Sequence, residues 1–109
     1  MILHPMEKDV VDLSERRAAG EDPLVLDVRE PAEFEWCRIE GSMLMPLGDL
    51  PERMGELDPQ KEVLILCHTG VRSLAAADYL RAQGFGRAYS LAGGIHRWSL
   101  VVDASVPIY

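Results

Sequence analysis

Cysteine is scarce in this chain of 109 residues: Cys37 and Cys67 are the only two. Two allow one disulfide, and the reducing cytoplasm that the sequence otherwise points to argues against a structural one. The three histidines, His4, His68 and His96, are scattered without metal-ligand spacing, so no metal site is expected, and no cofactor. Basic residues are outnumbered, 11 Lys and Arg against 18 Asp and Glu for a net charge of −7, and they form no cluster. Nucleic acid and anionic lipid are therefore not expected partners, because both need a basic face. No apolar run approaches the roughly 20 residues of a membrane span. The first residues, Met1 to Glu7, lack the basic start and long apolar core of a signal peptide. A cytoplasmic location is expected.

What is present is the balance of an ordinary globular domain, 48% apolar and 27% charged, in a length that suffices for one hydrophobic core but not two. Near the N-terminus, Ile2-Leu3 is expected to form a short edge strand. His4-Pro5 is expected to open a helix, with Pro5 in its first turn and Glu7 within capping-box reach. Met6, Val10, Leu13 and Arg17 fall on one stripe of that helix, with Val11 beside it and Gly20 as its stop. Leu24-Val25-Leu26-Asp27 is short, apolar and bounded by Pro23, which predicts a buried strand. Pro31 to Trp36 makes a helical turn with proline at its start. After a turn at Gly41, Met43-Leu44-Met45 is a further short strand, ended by Pro46. Asp49, with Glu52 three residues on, predicts a capped helix whose Leu50, Met54 and Leu57 face inward.

The most informative stretch follows. Val63-Leu64-Ile65-Leu66 is an unbroken apolar run, residues 67–73 read Cys-His-Thr-Gly-Val-Arg-Ser, and the alanine-rich segment from Ser73 to Gln83 reads as a helix. On that helix Leu74, Ala77 and Leu80 share a face, Ala75 and Ala76 allow close approach to a sheet, and Gly84 supplies a left-handed cap behind which Phe85 folds back. Ala88-Tyr89-Ser90-Leu91 predicts a last strand, Gly93-Gly94 a loop into a final helix, and Val101 to Tyr109 a tail without strong preference. Near-uniformly apolar strands linked by helices predict an α/β fold, a small parallel sheet of about five strands with helices on both faces. Sites in such sheets lie at the C-terminal ends of strands, where Asp27 and Cys67 both fall. A strand, a tight loop and a helix form a cup of backbone N–H groups, suited to an anion or a thiolate. Cys67, at the floor of the cup, is the candidate nucleophile. On this ground alone phosphate, arsenate and sulfur chemistry all stay open.

Four stretches in order give the chain a resemblance to rhodanese-like sulfurtransferase domains over about residues 5 to 109. Leu24 to Phe34, with Asp27-Val28-Arg29-Glu30-Pro31 inside it, resembles the first signature of that family. Arg38-Ile39-Glu40-Gly41-Ser42 resembles the second, with Arg38 where His is more usual and Glu40 where Pro is. Cys67 to Ser73 resembles the active-site loop, and Leu91-Ala92-Gly93-Gly94-Ile95 with Trp98 the C-terminal signature. The resemblance implies the α/β fold derived above. It implies that Cys67 attacks a small sulfur donor such as thiosulfate, carries the sulfur as a persulfide, and passes it to cyanide or to a thiol or protein-thiol acceptor. Residues His68, Thr69, Gly70, Val71, Arg72 and Ser73 are then expected to hold the persulfide. Their N–H groups and the helix dipole favour a charged sulfur, Gly70 permits the turn, Arg72 meets an anionic donor, and Thr69 and Ser73 offer hydroxyls. Four residues separate Cys67 from Arg72. Related phosphatases have a longer loop and a wider cradle, so the spacing favours sulfur over phosphate or arsenate.

Plainer readings stand beside the catalytic ones. Cys67 would otherwise be a buried structural thiol, a reading the three companion motifs disfavour. Asp27 and Arg29 are read as a structural ion pair near the site that ties loop ends together. Arg72 could form an outward ion pair with an acidic neighbour, and Ser73 could simply cap the helix. His68 is placed toward solvent or at the site entrance, since adjacent residues of a tight loop rarely face each other. Thr69 and Val71 shape the rim. Cys37 is read as a small apolar residue near Trp36 in preference to a resolving thiol. Trp36, Trp98 and Tyr79 are assigned to packing and His96 to the surface. The tail from Gly93 to Tyr109 resembles those of rhodanese domains fused to adenylating enzymes, which makes a sulfur donor to a carrier protein in cofactor biosynthesis a second reading. A non-catalytic binding or sensing module is a third, and the presence of Cys67 points away from it.

Overall fold

The structure, a computed structural model, describes residues 2–109. Strands and helices alternate along the chain: β1 (Glu7–Asp9), α1 (Val10–Ala18), β2 (Leu24–Asp27), α2 (Pro31–Trp36), β3 (Met43–Leu44), α3 (Leu50–Arg53), β4 (Val63–Leu66), α4 (Val71–Ala82), β5 (Ala88–Ala92) and α5 (Gly94–Val101). Short 3-10 turns, Leu47–Asp49 and Met54–Glu56, flank α3. The five strands form one parallel sheet in the order β1-β5-β4-β2-β3, the α/β architecture expected.

The central strand β4 is buried throughout, yet its side chains still alternate between two cores. Val63 and Ile65 pack with Leu26, Ala76, Ala77 and Leu80 on the α4 side. Leu64 and Leu66 pack with Val10, Leu13, Leu91, Ile95 and Trp98 on the α1–α5 side. Cys67 continues the odd-numbered set and joins the α4 side. Helix α4 buries Ser73, Ala76, Ala77 and Leu80. Its C-terminus closes as a Schellman motif: the Phe85 N–H donates to Leu80 O at 2.9 Å and the Gly84 N–H to Arg81 O at 3.1 Å, with Gly84 at φ +100° and Phe85 buried in the core.

Topology sets where a site can form. The crossover leaving β2 runs outward to β3, whereas the one leaving β4 runs to β5 on the opposite side. Two diverging loops leave a crevice at the C-terminal ends of adjacent strands. Asp27 pairs in register with Leu66, so the loop after Asp27 and the loop beginning at Cys67 start side by side.

Several local expectations are corrected. Ile2-Leu3 is not a strand, and no helix starts at Pro5. Instead the Glu7 N–H donates to His4 O and the Glu7 carboxylate accepts the His4 N–H, both at 2.8 Å. The closed turn delivers residues 7–9 to the edge of β5, and Asp9 then caps α1 by accepting the Val11 N–H. The apolar stripe was real only from Val10 onward, and a strand of three residues is too short to show a period. Asp49 sits in a 3-10 turn and makes no side-chain cap. Ala75 faces solvent and Leu74 is half-buried, because the stripe from Ser73 through Ala76 and Ala77 to Leu80 takes the sheet side. Trp36 is 66% exposed and is not a packing residue. The tail is ordered against the domain: Val106 is buried and its carbonyl accepts the Ser99 hydroxyl. Among the described residues no helix is long and apolar enough to cross a membrane.

Leu64 is fully buried in the central strand. Leu64→Ala is expected to lower the unfolding free energy by about 2–5 kcal/mol, read as a lower urea midpoint at unchanged slope.

Candidate active site

Residues 67–70 link β4 to α4 and bend around the Cys67 sulfur. Sγ accepts the Gly70 N–H at 3.1 Å and the Ser73 N–H at 3.3 Å, and lies 3.3 Å from Ser73 Oγ. Gly70 has φ +109°, a region that side chains resist, and a Cβ there would come within 3.2 Å of the Gly93 nitrogen. The orientation of the loop comes from α5. The Ile95 N–H donates to Cys67 O at 2.9 Å and the His96 N–H to His68 O at 3.0 Å. First-turn amides of a helix have no intrahelical acceptor. Here they draw two loop carbonyls away from the sulfur and leave its side to N–H groups. Close backbone approach is required, and Gly94 allows it: a Cβ at that position would lie 2.5 Å from Cys67 O and closer still to His68 O.

Ser73 is the third residue of α4 and does not cap it; Gly70 is the N-cap. The Ser73 hydroxyl lies between Cys67 Sγ and the hydroxyl of Ser90, 2.7 Å away, and both serines are fully buried. Ser90, on β5, is not singled out by the sequence. Its one mark there is a hydroxyl in an otherwise apolar strand.

Asp27 and Arg29 form a fully buried pair, with Arg29 Nη2 2.7 Å from Asp27 Oδ2 and Nε 3.0 Å from both carboxylate oxygens. The other guanidinium N–H groups donate to Cys37 O at 2.7 Å, Glu33 O at 3.3 Å and the Tyr109 hydroxyl at 3.0 Å. Burial alone would favour the neutral guanidine, but the bonds to Asp27 and Tyr109 outweigh it and hold the group charged. So saturated a pair fastens the end of β2 to α2, to the segment after it and to the tail.

Arg72 does not lie free over the loop. It pairs bidentately with Glu33 of α2, Nη1 to Oε1 at 2.6 Å and Nη2 to Oε2 at 3.0 Å. Glu33 also accepts the Glu30 N–H at 3.0 Å and the Tyr109 hydroxyl at 2.7 Å. Led by the Arg72 bond, these donors outweigh burial and pull the carboxyl from its ordinary 4.5 down to about 2. Tyr109, whose hydroxyl is pushed up to about 12 chiefly by burial, lays its ring flat on His68 with centroids 3.9 Å apart. His68 Nε2 lies 2.6 Å from the Tyr109 main-chain oxygen. His68 is thus half-buried beneath the tail and does not face open solvent. Glu33 and Tyr109 are the residues of this network that no motif picks out for the site. Thr69 and Val71 are exposed at the rim of a hollow of about 590 Å³, whose lining also includes Met6, Leu74 and Ala75 and the acidic Glu7 and Asp78. Cys37 and Cys67 are both free thiols, and Cys37 is buried beside Arg29 and Pro107. Among the described residues no group of His, Cys, Asp and Glu is placed to hold a metal ion.

Fold and loop together define a class: α/β domains that seat a cysteine sulfur among main-chain N–H groups at a helix N-terminus. Within it, residues 9–100 match the family described as Rhodanese-like domain, and the chain belongs to the rhodanese-like sulfurtransferase family. It is 41% identical to a protein named Sulfurtransferase from Allochromatium vinosum, over 85% of this chain and 87% of that one. It is 30% identical to Thiosulfate sulfurtransferase GlpE from Glaesserella parasuis, over 94% and 96%. Other relatives are longer, the chain spanning 35% of one of them. Among solved structures, a rhodanese-related protein from Thermoplasma volcanium superposes with a TM-score of 0.77 at 31% identity, covering 94% of this chain and 96% of that one.

Two outcomes are expected. Gly94→Ala, which forces a side chain into the loop backbone, should cost about 2–4 kcal/mol and lower the thermal midpoint. Glu33 ionises more readily when folded, so its contribution to stability is present above pH 4.5 and is lost as pH falls toward 2. The difference in thermal midpoint between wild type and Glu33→Gln should therefore shrink over that window.

Proposed function

We propose that the chain is a sulfurtransferase carrying a sulfane sulfur on Cys67 as a persulfide. The observation that carries this reading is the pair of main-chain N–H groups, from Gly70 and Ser73, that point at the Cys67 sulfur from 3.1 and 3.3 Å. Donors fixed in that position stabilise negative charge on sulfur both before and after loading. With thiosulfate as donor, the Cys67 thiolate attacks the outer sulfur. An Sγ–S bond forms, the donor's S–S bond breaks, and sulfite leaves with the electron pair. Cyanide or an acceptor thiolate then attacks the outer sulfur of the persulfide, and Cys67 departs as the thiolate. Both steps balance without an external oxidant or reductant. The spacing of Cys67 and Arg72 supports sulfur over phosphate chemistry, as does the likeness to relatives named for sulfur transfer.

Residues 1–109 are read as one rhodanese-like domain acting in the cytoplasm on a small donor and a thiophilic or protein-thiol acceptor. The sulfur-donor role toward a carrier protein is a special case of the same chemistry. It is supported by the resemblance of the tail, Gly93 to Tyr109, to those of rhodanese domains fused to adenylating enzymes. The presence of Cys67 in the loop points away from a non-catalytic binding module.

Thiocyanate production from thiosulfate and cyanide tests the reading. Wild type and Cys37→Ser are expected to turn over, and Cys67→Ser to fall to background. Thiosulfate alone should add about 32 Da, one sulfur atom, to Cys67. Activity surviving in Cys67→Ser would remove the nucleophile assignment, and specific capture of a protein partner without turnover of any sulfur donor would favour the module.

A further inference from the structure

Arg72 is the only guanidinium or ammonium group between Cys67 and Ser73, and its outer edge is occupied by both oxygens of Glu33. Glu33 is itself held in place. Its carboxylate takes two N–H groups of Arg72, the main-chain N–H of Glu30 and the hydroxyl of Tyr109, which fills its four strong acceptor positions. Tyr109 is fixed in turn by the Arg29 N–H on its hydroxyl and by the His68 ring beneath its own. The neighbouring cation cannot substitute: Arg29 is fully buried, with its donors on Asp27, Cys37, Glu33 and Tyr109.

A small donor such as thiosulfate carries two negative charges and must set its sulfonate end against donors while its outer sulfur meets Cys67. At this mouth the nearby cation is already compensated by Glu33, so a second negative charge finds no free partner, and leaving it unpaired costs more as the site is partly removed from water. To reach Arg72 the donor has to displace Glu33, and Glu33 then loses its best partners. A carrier with a single charge on its transferable sulfur and an apolar body makes no such demand. The hollow next to the loop offers such a body apolar contact from Met6, Val71, Leu74 and Ala75, and its Glu7 and Asp78 carboxylates set it further against a second negative charge.

We propose that Glu33, held by Tyr109, is a specificity-determining residue: it withholds Arg72 from dianionic donors and sets the site for sulfane sulfur on singly charged organic carriers, such as thiosulfonates and alkyl persulfides. The proposal rests on the sulfurtransferase reading above. In the step it concerns, Cys67 attacks the outer sulfur of methanethiosulfonate, an Sγ–S bond forms, and methanesulfinate leaves with the electrons of the broken S–S bond.

Methanethiosulfonate and thiosulfate share the reacting S–S unit and differ in charge, so the ratio of their kcat/KM values isolates the effect. Wild type should prefer methanethiosulfonate. Glu33→Gln should shift the ratio toward thiosulfate by roughly tenfold, the scale of one charge-assisted bond. Tyr109→Phe keeps the ring on His68 and removes the hydroxyl, and should shift the ratio the same way by a smaller factor. An unchanged ratio in both variants, or a shift toward methanethiosulfonate, overturns the proposal while leaving the sulfurtransferase reading intact. Sulfate, an unreactive dianion, provides a readout independent of turnover. Calorimetric titration should show tighter sulfate binding by Glu33→Gln than by wild type, and equal affinities overturn the proposal whether or not the chain turns over any donor. Failure of wild type on both donors overturns the sulfurtransferase reading itself.

Discussion

The direction in which the peptide groups of residues 67–70 point is the constraint on which the site depends. A loop that turned its carbonyls inward would surround the Cys67 sulfur with partial negative charge and repel a thiolate. The first-turn amides of α5 decide the matter by taking the carbonyls of Cys67 and His68. The helix that shapes the site is therefore not the one that follows the cysteine. α4 contributes the Ser73 N–H, while α5, some 25 residues further on, sets the orientation of the backbone. Glycine at 94 is the chemical condition for this, since the two backbones meet where a Cβ would stand.

A second network lies outside the cup, at the mouth of the site. It runs from the buried Asp27–Arg29 pair through Tyr109 to Glu33 and Arg72. Four separate parts of the chain meet in it: the end of β2, helix α2, the start of α4 and the tail. Most of its charge is paired within the network itself, so the mouth of the site is more nearly neutral than the residue names around it would suggest. Glu33 ties the mouth to the first turn of α2, where its carboxylate also satisfies a free main-chain amide.

The parts of this architecture legible in the sequence were those that depend on neighbours along the chain. β2, β4 and α2 fall where their apolar runs and Pro31 placed them, and the Gly84–Phe85 closure has its predicted residues. The cup around Cys67 could be anticipated because strand, loop and helix are contiguous. The parts that were not legible rest on distant pairings. Nothing local to Ile95 and His96 says that their amides serve another loop, and nothing local to Arg72 says that Glu33 will take it. Ser90 gave only the faint signal of a hydroxyl within an apolar strand. The N-terminal strand was missed for a related reason: residues 7–9 become a strand by pairing with β5, and their own sequence carries no period.

The alternation of side chains along β4 carries a consequence for how this site can change. Cys67 reaches the amide cup because it stands an even number of residues from Val63 and Ile65, whose side chains share its face. Substitutions along the strand alter volume and leave that parity intact. Gain or loss of a single residue would not. It would send the sulfur toward Leu64 and Leu66 and the core under α1 and α5, leaving the N–H groups of Gly70 and Ser73 facing whatever side chain had taken its place. The position of the Cys67 sulfur is thus protected against changes of letter and exposed to changes of count.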